Sequence, residues 1–267
     1  MIAFPNAKIN LGLNIISKRT DGYHNLETIF YPIQIKDALE VIEAKEMSFE
    51  STGIEIPGNA NENLCLQAYH SLRADFDLPN IAIHLLKNIP IGAGLGGGSA
   101  DAAFFIKLIN EKFQLSLDAY AMENYCRVLG ADCAFFIANK PVFAYDKGDV
   151  FEEIELDLSN YHLALVMPSV HVSTGEAYRG VKPQLPEISL KDLIKLPVDQ
   201  WQGKVKNDFE NHILENHPQI RDVKIALLEA GALFALMSGS GASVYGIFDK
   251  KADLSFLEKD NLVFNGV

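Results

Sequence analysis

Residues 90–100 are Pro90-Ile91-Gly92-Ala93-Gly94-Leu95-Gly96-Gly97-Gly98-Ser99-Ala100, and five of the seven positions from 92 to 98 are glycine. Apolar residues alternate with polar or small ones over 81–85, which predicts a half-buried strand before the glycines. From 102 to 109 apolar residues recur at helical spacing, which predicts a helix after them. Glycines let backbone N–H groups approach a ligand closely, and a helix start attracts anions. This segment, called the glycine loop below, is therefore predicted to bind phosphate and indicates an enzyme that uses a nucleotide.

The pattern around the glycine loop excludes several nucleotide-binding classes. Gly92, Gly94 and Gly97 satisfy the G-x-G-x-x-G pattern, but residues 116–129 show helical periodicity where a dinucleotide fold needs a second strand. No lysine follows the glycines, so the loop is not a Walker A motif. The V-A-I-K and H-R-D segments of protein kinases are also missing. The remaining alternative is a flexible turn without a ligand, although such linkers seldom lie between two periodic elements.

Composition indicates a globular protein and argues against two classes of partner. The chain has 267 residues, 48% of them hydrophobic and 22% charged, enough for one large domain or two modest ones. A net charge of −12 argues against binding to nucleic acid or an anionic membrane. Three cysteines cannot all pair, which favours a reducing, cytoplasmic location. Polar residues interrupt the apolar N-terminal segment and no apolar run approaches 18 residues, so neither a signal peptide nor a membrane span is expected.

The remaining periodicity predicts a mixed chain of class α+β with a division near residues 145–160. Asp21-Gly22 predicts the turn of a hairpin between the first two strands. Strands are predicted at 8–17, 26–33, 39–56, 142–145, 162–167, 233–237 and 243–248. Helices are predicted at 61–75, 102–109, 116–129, 190–196 and 218–230. Gly231 is predicted to cap the C-terminal end of the last helix.

Several polar residues allow two interpretations when each is taken alone. Lys8 and Asn10 lie two positions apart on a strand, roughly 6.6 Å between Cα atoms, so they could serve one ligand or simply face solvent. Asp132, in Gly130-Ala131-Asp132, could be catalytic or could cap a helix. Residues 238–242, Ser-Gly-Ser-Gly-Ala, could bind a ligand or only connect two strands.

The joint order of these motifs resembles the GHMP kinases, the family of galactose, homoserine, mevalonate and phosphomevalonate kinases. The motifs are an early K-I-N strand, the glycine loop, a G-A-D segment and a late S-G-S-G-A loop. Within that family the chain is similar, over nearly its full length, to the members that act on a cytidine diphosphate derivative of methylerythritol in the non-mevalonate route to isoprenoids. The segments that carry this narrower resemblance are Ala7-Lys8-Ile9-Asn10-Leu11, Arg19-Thr20-Asp21-Gly22-Tyr23-His24, Asn207-Asp208-Phe209-Glu210 and Met237-Ser238-Gly239-Ser240-Gly241-Ala242.

The resemblance implies a two-domain α+β fold. Residues 1–152 would form an ATP-binding and catalytic domain like the second domain of ribosomal protein S5. Residues 153–267 would form a ferredoxin-like domain on the substrate side, with ATP and substrate meeting between the two. The implied reaction moves the γ-phosphoryl group of ATP to the 2-hydroxyl of the methylerythritol unit.

The resemblance also implies roles for the reacting groups. Asp132 would accept the proton of the hydroxyl, while Lys8 would keep Asp132 ionised and stabilise developing negative charge. The backbone of residues 90–100 would bind the ATP phosphates, with the Ser99 hydroxyl near Mg²⁺. The motifs contain no evident second acidic ligand for that metal.

For the substrate, the resemblance implies a small cytosine site. Tyr23 would stack on the cytosine ring, Tyr178 would supply a second aromatic face, and His24 would contact the base edge. Asn10 would contact the polyol or phosphates, and Thr174 would also touch the substrate. An alternative for Tyr178 is a core aromatic residue on a helix that starts with a capping box at Ser173.

Two other functions stay open at this point. A sibling kinase for homoserine or mevalonate would share the glycine loop but would not need the pair Tyr23-His24. A nucleotide-binding sensor without catalysis could dispense with Lys8 and Asp132, both of which are present. The predicted partner is therefore a small-molecule substrate, with no nucleic acid and no membrane, and the sequence leaves the oligomeric state open.

Overall fold

A computed structural model describes the backbone of residues 1–267 and every side chain except that of Ala60. The strands are β1 (Ile2–Ala3), β2 (Asn6–Lys18), β3 (His24–Lys36), β4 (Ala38–Glu43), β5 (Ser48–Gly53), β6 (Ile81–Lys87), β7 (Val142–Asp146), β8 (Val150–Glu153), β9 (His162–Pro168), β10 (Phe234–Met237), β11 (Val244–Phe248) and β12 (Asn261–Asn265). The helices are α1 (Leu64–Asp75), α2 (Gly97–Phe113), α3 (Ala119–Leu129), α4 (Phe135–Ala138), α5 (Thr174–Arg179), α6 (Leu190–Leu193), α7 (Glu210–Asn216) and α8 (Pro218–Glu229). This mixture confirms the α+β class.

The chain forms two compact units, and each is discontinuous in sequence. The first unit contains residues 1–8, 32–91 and 96–140, and the second contains residues 9–31, 92–95 and 141–267. The boundary predicted at residue 152 stays a prediction.

The first unit is built on a sheet with strand order β1-β4-β6-β5. Strand β6 pairs antiparallel with β4 and parallel with β5, so that Ile83 lies opposite both Val41 and Phe49. Helix α2 packs against α1, α3 and α4. The buried residues Phe105 and Ile109 of α2 contribute to this core, because one side of the helix is apolar as its spacing predicts.

The second unit contains an antiparallel sheet with strand order β10-β11-β9-β12. Helix α8 packs against β9, β10 and β11, and α7 packs against α8. Their shared core includes Val166, Val223, Leu227 and Val244, which are buried. A further sheet has the order β2-β3-β7-β8, and strands β2 and β3 form the predicted hairpin through the turn at Asp21-Gly22.

Strand β2 differs from the prediction in one informative way. Its apolar positions from Ile9 to Ile15 are buried as the alternation predicts, but Lys8 is 3% exposed and Asn10 only 2%. The interpretation that these two polar residues simply face solvent is therefore wrong. Polar groups are buried only when they are paired, so both must have partners in the fold.

Some predicted boundaries were wrong for local reasons. The helix predicted from residue 116 begins at Ala119, because the Asp118 side chain accepts a hydrogen bond from the N–H of Ala121 (2.8 Å) and caps it. Ser116 has a φ of +59°, outside the helical region. Helix α6 ends at Leu193 instead of 196, and the short elements β8, α7 and β12 were not predicted from their sequence pattern. Among the helices of the described chain, none has the length and apolar character required to cross a bilayer.

Candidate active site

The glycine loop leads from β6 into α2 and has the conformation that its glycines allow. Gly92, Gly94 and Gly96 have φ values of +67°, +75° and +69°, a region that other residues rarely adopt. A Cβ on Gly94 would collide with the main-chain carbonyl of Ser238. Glycine at position 94 therefore serves both the turn and a close backbone contact.

The first turn of α2 supplies free donor positions. Helix α2 begins at Gly97 with Gly96 as its N-cap, and the N–H of Ala100 donates to the carbonyl of Gly96 (2.9 Å). The N–H groups of the preceding positions 97–99 come before that bond, and glycine offers no side chain to cap them. Such groups, with the helix dipole behind them, suit phosphate oxygens.

The first unit brings Lys8 and Asp132 together. Lys8 comes from β2, and Asp132 lies in the turn between α3 and α4. The Lys8 Nζ is 3.4 Å from Asp132 Oδ2, with side-chain exposures of 4% and 35%. A Cβ on Gly96 would lie 3.2 Å from Cε of Lys8, so the lysine stem runs beside the glycine loop. An ammonium, an accessible carboxylate and the loop thus lie next to one another.

Ser99 is tied to the segment that carries Asp132. The Ser99 hydroxyl is hydrogen-bonded to the thiol of Cys133, the residue after Asp132, and this bond lowers the pKa of that thiol. Burial is the larger effect and raises the pKa of Cys133 to about 11, so the thiol stays protonated near neutral pH. Ser99, at the start of α2, therefore lies beside a buried cysteine that stays protonated. Among the described side chains, no group of three His, Cys, Asp or Glu residues is placed to hold a metal ion.

A buried ion cluster at the base of the glycine loop was missed by sequence reasoning. Lys87, Asp37 and Asp101 are each at most 3% exposed. The Lys87 Nζ contacts Oδ2 of Asp37 and lies 2.8 Å from Oδ2 of Asp101. Asp37 Oδ1 accepts hydrogen bonds from the N–H groups of Asn88 (2.6 Å) and Ile89 (2.8 Å).

This cluster links the entry to the glycine loop with the second turn of α2. Lys87 ends β6, Asp37 follows β3, and Asp101 lies in α2, so three elements meet at one ammonium. The sequence pattern does indicate this cluster. Lys87 continues the alternation of inward positions 81, 83 and 85 in β6, and Asp101 lies among apolar residues of α2. A charged residue at an inward position predicts a buried partner.

Burial dominates the proton affinity of Asp101. Burial raises the pKa of this carboxyl, the Lys87 ammonium lowers it and the nearby Asp37 raises it, and the resulting pKa is about 7. Oδ1 of Asp101 is buried with no hydrogen-bond partner among the described atoms. Among the three groups of the cluster, the Asp101 carboxyl is therefore the one whose burial is least compensated by hydrogen bonds.

In the second unit, the turn that carries Tyr23 is held by Arg19. Arg19 bonds to Asp21 and to Asn25 (2.8 Å) and also pairs with Asp146. The N–H of Tyr23 donates to Oδ1 of Asp21 (3.1 Å), while the Tyr23 side chain is 64% exposed. An exposed ring on a braced turn is suited to stacking.

His24 and Tyr178 are already in contact. Their rings are stacked, with centroids 4.8 Å apart and planes at 22°. Tyr178 also meets the edge of Phe209 at 4.9 Å, so it combines a core contact with a contact to His24. Its helix α5 starts with a Ser173 hydroxyl that accepts from the N–H of Glu176 (3.2 Å), as the capping box predicts, and Thr174 is exposed at its first position.

Asn10 is joined to the loop 238–242 and, through it, to the glycine loop. The side-chain amide of Asn10 donates to the Thr28 hydroxyl (2.8 Å), and the main-chain N–H of Asn10 donates to the Ser238 hydroxyl (3.2 Å). The Ser238 hydroxyl in turn donates to the carbonyl of Gly94 (2.9 Å). The loop 238–242 does connect the antiparallel strands β10 and β11, but it also contacts the glycine loop, so it is more than a hairpin connection.

Family models and curated relatives both relate this chain to the GHMP kinases. The chain matches the model of the GHMP kinases N terminal domain over residues 63–140 and that of the GHMP kinases C terminal over residues 189–259. A relative from Parabacteroides distasonis, named 4-diphosphocytidyl-2-C-methyl-D-erythritol kinase, is 52% identical over 94% of this chain and 92% of its own length.

Solved structures agree with that result. A crystal structure of 4-(cytidine 5'-diphospho)-2C-methyl-D-erythritol kinase superposes with a TM-score of 0.81 at 28% identity, covering 100% of this chain and 98% of that one. A crystal structure of mevalonate kinase has a TM-score of 0.66 at 18% identity, covering 99% of this chain and 98% of the other, and shares the fold alone.

Asp101→Asn tests the buried cluster through the pH-dependence of stability. The folded protein keeps the Asp101 proton to about pH 7, whereas the unfolded chain loses it near 3.8. The group therefore favours folding most at low pH, and this contribution is lost as the pH rises through about 7. We expect urea unfolding across that range to show a flatter pH-dependence in the variant. Asp77→Asn, at an exposed position of the same unit, is the control, and an unchanged profile in Asp101→Asn would contradict the assignment.

Proposed function

The chain belongs to the GHMP kinases and, within them, to the 4-diphosphocytidyl-2-C-methyl-D-erythritol kinase family, and on this premise we propose that it phosphorylates the 2-hydroxyl of that cytidyl substrate with ATP. It is a small-molecule kinase, because relatives about half identical over nearly the whole chain carry that activity in their names. The observation that carries the specific reaction is the contact between Lys8 and Asp132 beside the glycine loop.

In the proposed reaction Asp132 is the general base. The acceptor oxygen forms a bond to the γ-phosphorus while the bond from that phosphorus to the ADP oxygen breaks, and the hydroxyl proton passes to the Asp132 carboxylate. The side chain of Asp132 is 35% exposed, which leaves it accessible to a substrate hydroxyl. The acceptor is a tertiary alcohol, so accurate positioning contributes much of the rate.

Lys8 is proposed to stabilise negative charge during the transfer. Its side chain is 4% exposed and its Nζ lies 3.4 Å from the Asp132 carboxylate, so it acts in surroundings with little water. A charge that is held in place before the reaction needs little reorganisation when the transition state forms. Lys8 also keeps the carboxylate in one position through their ion pair.

The glycine loop is proposed to bind the ATP phosphates through residues 90–100. Mg²⁺ would enter with the nucleotide and neutralise phosphate charge, and the Ser99 hydroxyl is the proposed contact for it. One hydroxyl at the start of α2 is compatible with this role, because a nucleotide-borne Mg²⁺ takes most of its ligands from phosphate and water.

Tyr23, His24, Tyr178, Asn10 and Thr174 are proposed to contact the cytidyl substrate. The exposed Tyr23 ring supports stacking on cytosine. Because the rings of His24 and Tyr178 already touch, a base would stack on an outer face of this pair or separate it. The free, buried state of the three cysteines supports the proposal of a reducing, cytoplasmic location.

The reaction itself is tested with the purified protein, ATP, Mg²⁺ and the cytidyl substrate. Mass spectrometry should detect a product heavier by about 80 Da, the mass of one added phosphoryl group. Homoserine and mevalonate, tested in parallel, should give no product. Phosphorylation of either control at a comparable rate would instead support a sibling kinase.

Asp132→Asn should retain ATP and substrate binding and lose most of its turnover. The amide keeps the size of the side chain but cannot accept the proton, and general-base catalysis contributes about 10²–10⁴-fold. Steady-state kinetics and equilibrium binding would measure the two effects separately. The exposed Asp260→Asn is the control, and turnover of Asp132→Asn near the wild-type rate would exclude Asp132 as the base.

Tyr23→Ala should raise the KM for the cytidyl substrate about tenfold and leave the KM for ATP within about twofold. The expected loss corresponds to one base–aromatic stack of about 1–3 kcal/mol. Tyr120→Ala, which removes a ring that is 70% exposed in the first unit, should change neither constant. Equal losses for both substrates in Tyr23→Ala would rule out a stacking role.

A further inference from the structure

The segment Asn207-Asp208-Phe209-Glu210 precedes and enters helix α7, and its side chains contact several separate elements of the second unit. Asp208 Oδ2 accepts a hydrogen bond from the N–H of Ile15 (2.7 Å) in β2. Phe209 packs edge-on against Tyr178. Asn207 and Glu210 both bond to the main chain at the end of β10. Four consecutive residues thus join β2, α5 and β10.

The side chain of Asn207 forms three hydrogen bonds within the second unit. It is 3% exposed, and its amide nitrogen donates to the carbonyls of Met237 (2.9 Å) and Gly239 (2.8 Å). Its carbonyl oxygen accepts from the N–H of Phe209 (3.0 Å). Both amide hydrogens therefore hold the start of the loop 238–242, while the oxygen anchors the side chain to its own segment.

Glu210 also binds the main chain at Met237. Its Oε1 accepts from the N–H of Met237 (2.8 Å), and its Oε2 pairs with Lys224 Nζ (2.5 Å) in α8. The main chain from Met237 to Gly239 is consequently bonded by two buried side chains at three atoms. This part of the loop has little freedom to shift while those bonds persist.

Ser238 and Gly239, which are held in this way, contact the glycine loop at Gly94. The Ser238 hydroxyl donates to the carbonyl of Gly94, and the Ser238 carbonyl occupies the space that a Cβ on Gly94 would need. At Gly239, a Cβ would lie 3.3 Å from Cα of Gly94. A displacement of residues 238–239 would therefore move Gly94 or break its hydrogen bond.

We propose that Asn207 is a positioning residue for nucleotide binding, which sets the Gly92–Leu95 half of the glycine loop through residues 237–239. It acts through main-chain carbonyls and the Ser238 hydroxyl, without touching the nucleotide. The proposal rests on the proposed function only in that the glycine loop binds the phosphates of ATP. Residues 238–239 also touch Asn10, whose main-chain N–H donates to the Ser238 hydroxyl. The side chain of Asn10 is held separately by Thr28, so the larger effect is expected on the nucleotide, through Gly94.

Asn207→Asp is the sharpest variant, because it preserves the size of the side chain and the acceptor for Phe209. It replaces the donor by an oxygen that faces the two carbonyls of Met237 and Gly239, which repel it. We expect calorimetric titration with a non-hydrolysable ATP analogue and Mg²⁺ to show about tenfold weaker binding. The KM for the cytidyl substrate should change less than about threefold, a split that general loss of structure would not produce.

Asn265→Asp is the matched control. Its amide nitrogen also donates to a main-chain carbonyl, that of Ala252 (2.9 Å), but the residue is exposed in β12. The same chemical change there should leave the affinity for the analogue unchanged. Circular dichroism and thermal unfolding of all variants would establish that each is folded.

Ser238→Ala decides the matter if Asn207→Asp does not fold. It removes the hydroxyl that donates to Gly94 and accepts from the N–H of Asn10, and it leaves the hydrogen bonds of Asn207 intact. It should therefore weaken binding of the analogue more than it raises the KM for the cytidyl substrate. Wild-type affinity in a folded Asn207→Asp or in Ser238→Ala would overturn the proposal, and so would equal losses for nucleotide and cytidyl substrate. Failure of the proposed function would look different, since the wild type would bind the analogue but form no phosphorylated product.

Discussion

Pairing of buried polar groups is the constraint on which the arrangement around the glycine loop depends. Lys8, Lys87 and Asn207 are each 3% exposed, a degree of burial that is costly for such side chains. Each is paired with groups from other parts of the chain: Lys8 with Asp132, Lys87 with the carboxyl groups of Asp37 and Asp101, and Asn207 with two carbonyls. Because removal of one partner leaves the other buried and unsatisfied, these pairs define the backbone around them more strictly than apolar contacts do.

The glycine loop is accordingly held at separate points by different chemistry. Its entry is bonded by Asp37 at the N–H groups of Asn88 and Ile89, and Lys87 joins that carboxylate to α2. Its middle contacts the carbonyl and hydroxyl of Ser238 at Gly94. Between these points the left-handed glycines absorb the turns. A loop braced in this way presents its N–H groups with little conformational entropy to lose on phosphate binding.

Much of the fold and part of the site follow from local patterns. The alternation in β2 and β6 and the helical spacing in α2 and α8 predict those elements, and the glycines at 92–98 predict the phosphate loop. Short elements such as β8 and α7 escape this reasoning, because a four- or seven-residue segment carries too few periods to identify. The contacts of Asn207 escape it as well, since 30 or more residues separate its amide from Met237 and Gly239.

The sequence by itself determined the α+β class, the glycine loop, the hairpin around Asp21-Gly22 and the identity of the charged residues that carry the proposed chemistry, because these depend on residue type and near-neighbour spacing. Only the tertiary structure decided that Lys8 and Asn10 are buried instead of solvent-facing, that Lys8 meets Asp132, and that His24 lies against Tyr178. Burial and pairing are properties of what packs against a strand from distant parts of the chain. Period-2 alternation shows which residues share a face, but it does not show what covers that face.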